Sequence, residues 1–226
     1  MKYTSTCELI EKLNYDKAAT VKKLIVSKEE LALHRKRLSD LFKNDKPEQI
    51  DRKVYDIVMR NNAFAAIMEN VVEKSFDFNI TDEDVNNLIE DTKKKIIANR
   101  DEAYKKAPKE EQEKFGKIED QPYFKLTDQE RINLAKGQIK KDLVFEALAK
   151  LWDIFVTDEE VKEQLDNFYK VSNMSIREYL NNPERFESVR NMIRNEKIAK
   201  EVLNRFKVIW DLPKPPAQPK KEEDKK

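Results

Sequence analysis

Three tight carboxylate clusters are the first candidates for chemistry. Glu29-Glu30, Asp82-Glu83-Asp84 and Asp158-Glu159-Glu160 each follow closely on a hydroxyl residue, respectively Ser27, Thr81 and Thr157. Paired carboxylates can serve as general acid and base, and a hydroxyl next to a base can be a nucleophile. Either role needs convergent partners, and the chain has one histidine, His34, and one cysteine, Cys7. A single histidine cannot activate three hydroxyls set far apart in sequence, and no Ser/His/Asp arrangement is available. A single cysteine rules out an internal disulfide and any multi-cysteine metal site. His34 lies on an apolar helical face and reads as a packing or capping residue. Cys7 has no base near it in sequence and reads as an unreactive thiol. The expectation is therefore a protein that is not an enzyme, with no cofactor and no metal.

The clusters fit helix starts better than active sites. Val26-Ser27-Lys28-Glu29-Glu30-Leu31, Ile80-Thr81-Asp82-Glu83-Asp84-Val85 and Val156-Thr157-Asp158-Glu159-Glu160-Val161 share one pattern. A hydroxyl at the N-cap accepts from an early helical N–H, and acidic side chains favour the positive end of the helix. Glu30 and Glu160 stand three places after the hydroxyl and complete capping boxes; Asp84 at the same place is a shorter, weaker match. Helical periodicity follows each cap, as in Val161, Leu165, Phe168 and Tyr169. A longer helix closes each unit, marked by Ile50 to Val71, Ile132 to Phe155 and Phe186 to Phe206, with Trp152, Phe155 and Phe206 at core spacing. Pro47 and Pro183 stand just ahead of the first and third long helices, where a missing N–H costs little.

Composition agrees with a helical reading. Among 226 residues only Gly116 and Gly137 are glycine, so Gly-rich nucleotide loops are excluded and turn-dense sandwiches or barrels are disfavoured. Charged and apolar residues each make up 39%, and 45 Lys+Arg nearly cancel 44 Asp+Glu. That balance argues against a whole-molecule nucleic-acid binder. No run is apolar enough for a membrane span, and the first residues show no secretory h-region, so a cytoplasmic protein without membrane contact is expected.

The repeat sets the predicted boundaries: an N-terminal helical extension at 1–25, a helical domain at 26–210 with units 26–79, 80–155 and 156–208, and a disordered tail at 211–226. Val26 precedes Ile80 by 54 residues and Val156 precedes Val208 by 52, whereas Ile80 precedes Val156 by 76. The excess falls between Ala107 and Thr127, where Phe115, Tyr123 and Phe124 follow no clean helical stripe. A long connection of this kind is usually functional or disordered. The tail, rich in Pro, Lys and Glu, has too little apolar surface to fold.

The last unit resembles a known family. Phe155-Val156-Thr157-Asp158-Glu159-Glu160-Val161 leads to Val171-Ser172-Asn173-Met174-Ser175-Ile176-Arg177-Glu178-Tyr179-Leu180, and Asn182-Pro183-Glu184 opens a helix containing Arg190 and Asn195-Glu196-Lys197. This is similar to the end of the C-terminal chaperone domain of bacterial trigger factor, and the periplasmic chaperone SurA is similar in its helical domain. The likeness covers roughly residues 45 to 208 and is weak in the middle insertion. In that family a long helix runs through the stretch matching Phe76-Asp77-Phe78-Asn79-Ile80. The resemblance implies an all-α, elongated body with projecting arms around a cradle for non-native polypeptide. The family's ribosome-docking loop and prolyl isomerase domain have no counterpart here, so neither activity carries over.

The expected function is ATP-independent holding of unfolded or nascent polypeptide. Phe115, Tyr123 and Phe124 in the insertion, and Met174 and Tyr179 around the turn of the third unit, are the candidate client contacts; packing is the alternative for each. A structural or adaptor protein gripping one folded partner is the rival reading. A ribosome- or RNA-associated factor is a third, using Lys93-Lys94-Lys95, Arg35-Lys36-Arg37 and Lys220-Lys221 for weak ribosome association. A homodimer in which one arm inserts into another copy is compatible with such a body.

Overall fold

A computed structural model of the chain describes residues 3–112, 115–172 and 176–212. The fold is all-α, with four short strands. In chain order the elements are β1 (Thr6–Leu9), β2 (Ala19–Val21), α1 (Lys28–Leu41), α2 (Pro47–Ile67), β3 (Phe76–Asn79), α3 (Asp82–Lys106), α4 (Lys109–Gln112), α5 (Pro122–Lys125), α6 (Asp128–Leu151), α7 (Asp158–Ser172), α8 (Arg177–Leu180), α9 (Pro183–Arg205) and β4 (Val208–Trp210). A π-helical turn at Met68–Val72 and a 3₁₀ turn at Glu73–Ser75 extend α2 towards β3.

The chain divides into two units. The first joins residues 3–12 to 75–155; the second joins 13–74 to 156–212. The middle repeat, the one with excess length, is thus separate from the other two, which share a unit.

In the first unit α3 packs on α6. Val85 and Ile89 of α3 meet Ala135, Ile139 and Leu143 of α6, and Tyr3, Cys7 and Ile80 close that core from the side. β1 pairs antiparallel with β3, Thr6 opposite Asn79 and Leu9 opposite Phe76, and β1 also packs on α6. In the second unit α1 packs on α2, α2 on α9, and α7 and α8 on α9. Ile50, Val54 and Val58 form one core with Leu31 and Leu38; Val156, Val161, Leu165 and Val189 form another with Phe186 and Ile193. β2 and β4 pair in parallel, Ala19 opposite Val208.

The helix starts follow the predicted caps. Ser27 Oγ accepts from the Glu30 amide at 3.0 Å and Glu30 Oε2 accepts from the Ser27 amide at 2.9 Å. Thr157 and Glu160 repeat the exchange at 3.2 and 3.0 Å. A further box, Thr127 with Glu130, starts α6. Pro47 and Pro183 each occupy the first turn of their helices.

Three expectations are corrected. Residues 3–25 contain no helix, because the segment is held by long-range strand pairing through β1 and β2. Phe76-Asp77-Phe78-Asn79 is a strand and not part of a long helix; Phe76 is buried and Asp77 exposed, the alternation of a half-buried strand. Phe155 is 66% exposed and lies outside the core. α6 ends at Leu151, and Asp153 takes a left-handed φ of 52°, so Phe155 leaves the helical register that placed it inside. Phe206 is buried as expected, with Tyr15 4.9 Å from its ring centroid.

Asn62 is a buried polar residue that the repeat does not explain. Its Oδ1 accepts from the Ile25 amide at 2.7 Å, and its Nδ2 donates to the carbonyls of Ile25 and Val58 at 3.1 and 2.9 Å. One side chain thereby fastens the segment before α1 to α2, and its three hydrogen bonds meet the cost of burying an amide.

Candidate functional site

The acidic clusters are structural. The weak second cap shows how. Asp84 is buried and its Oδ2 accepts from the Ser5 amide and the Ser5 hydroxyl, both at 2.6 Å, and from Thr4 Oγ1 at 3.1 Å. It does not reach back to the Thr81 amide as Glu30 and Glu160 do to theirs. Ser5 Oγ accepts from that amide instead, at 3.0 Å. A carboxylate one methylene shorter is free for the N-terminal segment, and a serine from 76 residues away completes the cap. Hydrogen bonds from Ser5, with lesser ones from Thr4 and Thr81, hold the Asp84 carboxyl down from the usual 3.8 to about 2.

A depressed folded-state pKa contributes stability above the unfolded value, and that contribution is lost as pH falls through the folded one. Asp84→Asn is expected to lower the urea midpoint near neutral pH. The gap to wild type should close progressively between pH 4 and pH 2. A gap constant across that window would contradict the assignment.

Tyr3 and Cys7 flank this anchor. Burial, then the hydrogen bond from its hydroxyl to Asp142 at 2.8 Å, raises the Tyr3 phenol well above its ordinary range. Burial, then the Glu146 charge, pushes the Cys7 thiol up. A thiol kept protonated behaves as a small apolar side chain and not as a nucleophile. Beside it runs an open groove of about 630 Å³, with Thr6 and Cys7 on one wall and Leu143, Glu146, Ala147 and Lys150 of α6 on the other. A second open cleft, about 430 Å³, lies at the α1–α2 turn around Arg35, Phe42, Asp45 and Ile50.

The predicted contact residues are divided between the two units. Phe115 is half-buried and stacks edge-on against Tyr104, centroids 5.6 Å apart. Tyr123 and Phe124 are half-buried and edge-on to each other at 6.0 Å. Tyr179 packs against the Val156–Val189 core, in the other unit. Met174 lies outside the described residues, as do Lys220, Lys221 and the tail from 213. Arg35 pairs with Asp51 at 2.8 Å and Lys93 with Glu90 at 2.8 Å, so both basic clusters carry acidic partners.

Large apolar side chains are nonetheless left exposed on every helix pair. Leu33, Leu41 and Tyr55 are exposed on α1 and α2; Ile97, Tyr104 and Leu134 on α3 and α6; Tyr169, Leu180 and Met192 on α7 to α9. The helical stripes hinted at some of these, but spacing alone cannot tell a buried stripe from one left open. Among the described residues no group of three or more His, Cys, Asp or Glu is placed to hold a metal. No described helix is long and apolar enough to cross a membrane.

Comparison with known proteins yields relatives without an assigned activity. No family profile matches the chain. An uncharacterized protein of Mycoplasma pneumoniae, the MG377 homolog, is 28% identical over 208 residues, 92% of this chain and 94% of that protein. The uncharacterized protein MG377 of Mycoplasma genitalium matches with the same identity and coverage. The crystal structure of a hypothetical Mycoplasma protein, MPN555, superposes with a TM-score of 0.68 at 27% identity, covering 92% of both chains.

Proposed function

We propose that the protein is an ATP-independent, cytoplasmic holder of unfolded or nascent polypeptide. One observation carries this reading: each of the three helix pairs leaves at least three large apolar side chains exposed. A single exposed leucine is ordinary. Their recurrence on every pair, interleaved with a 39% charged composition, suits a surface that grips apolar segments and stays soluble. Met192, Leu33 and Leu134 make non-directional contacts that adapt to varied sequences. The resemblance of residues 155 to 206 to the trigger factor chaperone domain supports the same reading.

Release needs no nucleotide, because weak contacts spread over several faces give fast off-rates. The test is light scattering of a denatured model protein diluted into stoichiometric amounts of this one. Suppressed aggregation is expected. Replacing Leu33, Tyr55 and Met192 together by serine should weaken suppression and shift the urea midpoint little, since substitutions at exposed positions stay within about 0.5 kcal/mol each. No suppression and no binding of an unfolded protein would sink the reading. Selective capture of one folded partner would favour an adaptor that grips it with the same helix pairs.

A further inference from the structure

We infer that the groove between β1 and α6 takes a segment of client in extended form, added as a strand to the free edge of β1. The inference rests on the polypeptide-holding reading and names where and how one segment is held.

The register of the ribbon decides which groups are free. The Ile10 amide donates to the Ser75 carbonyl at 2.9 Å. Alternation along an antiparallel ladder then makes Glu8–Asp77 and Thr6–Asn79 the hydrogen-bonded pairs, and Cys7–Phe78 and Leu9–Phe76 the non-bonded ones. The N–H and C=O groups of Cys7 and Leu9 therefore point away from β3. Among the described residues the ribbon has no third strand, so this edge has no ladder partner.

An unpaired edge is a template for another main chain. It recognises an extended backbone whatever its sequence, which is what a holder of many clients needs. The four residues of β1 offer about 14 Å of edge at roughly 3.4 Å per residue. The opposite wall supplies Leu143 and Ala147 as apolar lining for alternate side chains. At the groove the Glu146–Lys150 ion pair, 2.8 Å apart, adds a charged and solvated border. A free edge facing a helix across an open groove thus provides both halves of strand addition, main-chain bonds on one side and side-chain contact on the other.

The test uses a fluorescein-labelled peptide of alternating leucine and threonine with lysine ends, followed by anisotropy. Two N-methylated versions block the alternate amides in opposite phase. One phase is expected to bind at least about tenfold more weakly and the other to bind like the parent, because only alternate amides face an edge. Equal binding by both versions would overturn the inference. Cys7→Pro removes one free-edge donor and leaves the β1–β3 bonds in place, since proline is tolerated where the N–H faces outwards. It should weaken the parent peptide by a similar factor, whereas Cys7→Ala should not. If an unfolded protein still binds and Cys7→Pro changes neither ligand, the edge is not the site and the holding function stands. If the wild-type protein binds neither peptide nor unfolded protein, both readings fall. A wild-type dimer that Cys7→Pro separates would also overturn the inference, because a second copy would then fill the groove.

Discussion

Ile139→Ala is expected to destabilise the protein by about 2–5 kcal/mol, the usual range for truncating a fully buried isoleucine. Ile139 is 0% exposed and sits on α6 among Val85, Ile89, Ala135 and Leu143. Truncation removes the transfer energy of the lost carbons and leaves a cavity lined from two helices, which can collapse only in part. Ile139→Val keeps most of that volume and should cost about 0.5–1.5 kcal/mol. Leu134→Ala, five residues away on the same helix, removes a side chain that is 56% exposed and should change stability by less than about 0.5 kcal/mol. Helix propensity favours alanine in both changes to alanine, so the difference between those two reports burial. The two tryptophans make the measurement local. Trp152 belongs to the same unit as Ile139 and Trp210 to the other. Urea unfolding followed by Trp152 fluorescence in a Trp210→Phe background reads the affected unit. Equal midpoints for Ile139→Ala and Leu134→Ala would mean that α6 presents a different face to α3.

What the sequence made legible follows from the range of the interactions involved. The caps at Ser27, Thr81 and Thr157 and the prolines at 47 and 183 act within one helical turn, so residue type and spacing were enough. The long helices carry enough periodic apolar positions to be read directly. The strands were hidden for the opposite reason. β1, β2 and β4 are three or four residues long, too short for a periodic signal, and exist because of partners up to about 190 residues away. β3 did carry a signal, since Phe76-Asp77-Phe78-Asn79 alternates apolar and polar with period 2. The family likeness implies a helix there instead. Asp84 is the instructive case within the site. Its weak fit to the capping pattern was visible, but the serine that takes over the cap lies in a segment whose fold depends on β3. Exposure of the apolar residues is a property of packing and not of spacing. Leu165 and Tyr169 share one helical stripe, and only the first is covered.

Arg190 offers the other large effect, and the question is which of its bonds matters. Nη1 donates to the carbonyl of buried Val156 at 2.6 Å, Nη2 to Asp158, and Nε to Glu187 at 2.8 Å, while the guanidinium lies 5.5 Å from the Phe186 ring. The Arg190 side chain is only 23% exposed, but those of Asp158 and Glu187 are more than half exposed. Ion pairs with such partners contribute about 0–1 kcal/mol, because water and salt screen them. The Val156 carbonyl is different. Removing its donor takes a charged hydrogen bond from a part-buried acceptor at the entrance to α7, at a cost of about 1–3 kcal/mol. Arg190→Met, which keeps much of the stem, should therefore lose about 1–3 kcal/mol, with Trp210 fluorescence in a Trp152→Phe background as the readout. Arg190→Lys should recover little of it, because a lysine ammonium cannot hold three acceptors spread across a rigid fork. Asp158→Asn should cost less than about 1 kcal/mol, and its coupling to Arg190→Met in a double-mutant cycle should be no larger. A coupling as large as the whole Arg190→Met effect would place the stabilisation in the ion pair and not in the carbonyl. With the carbonyl dominant, Arg190 acts as the clasp that fixes the entry to α7 against α9, and the charged face around it stays free to solvate the surface.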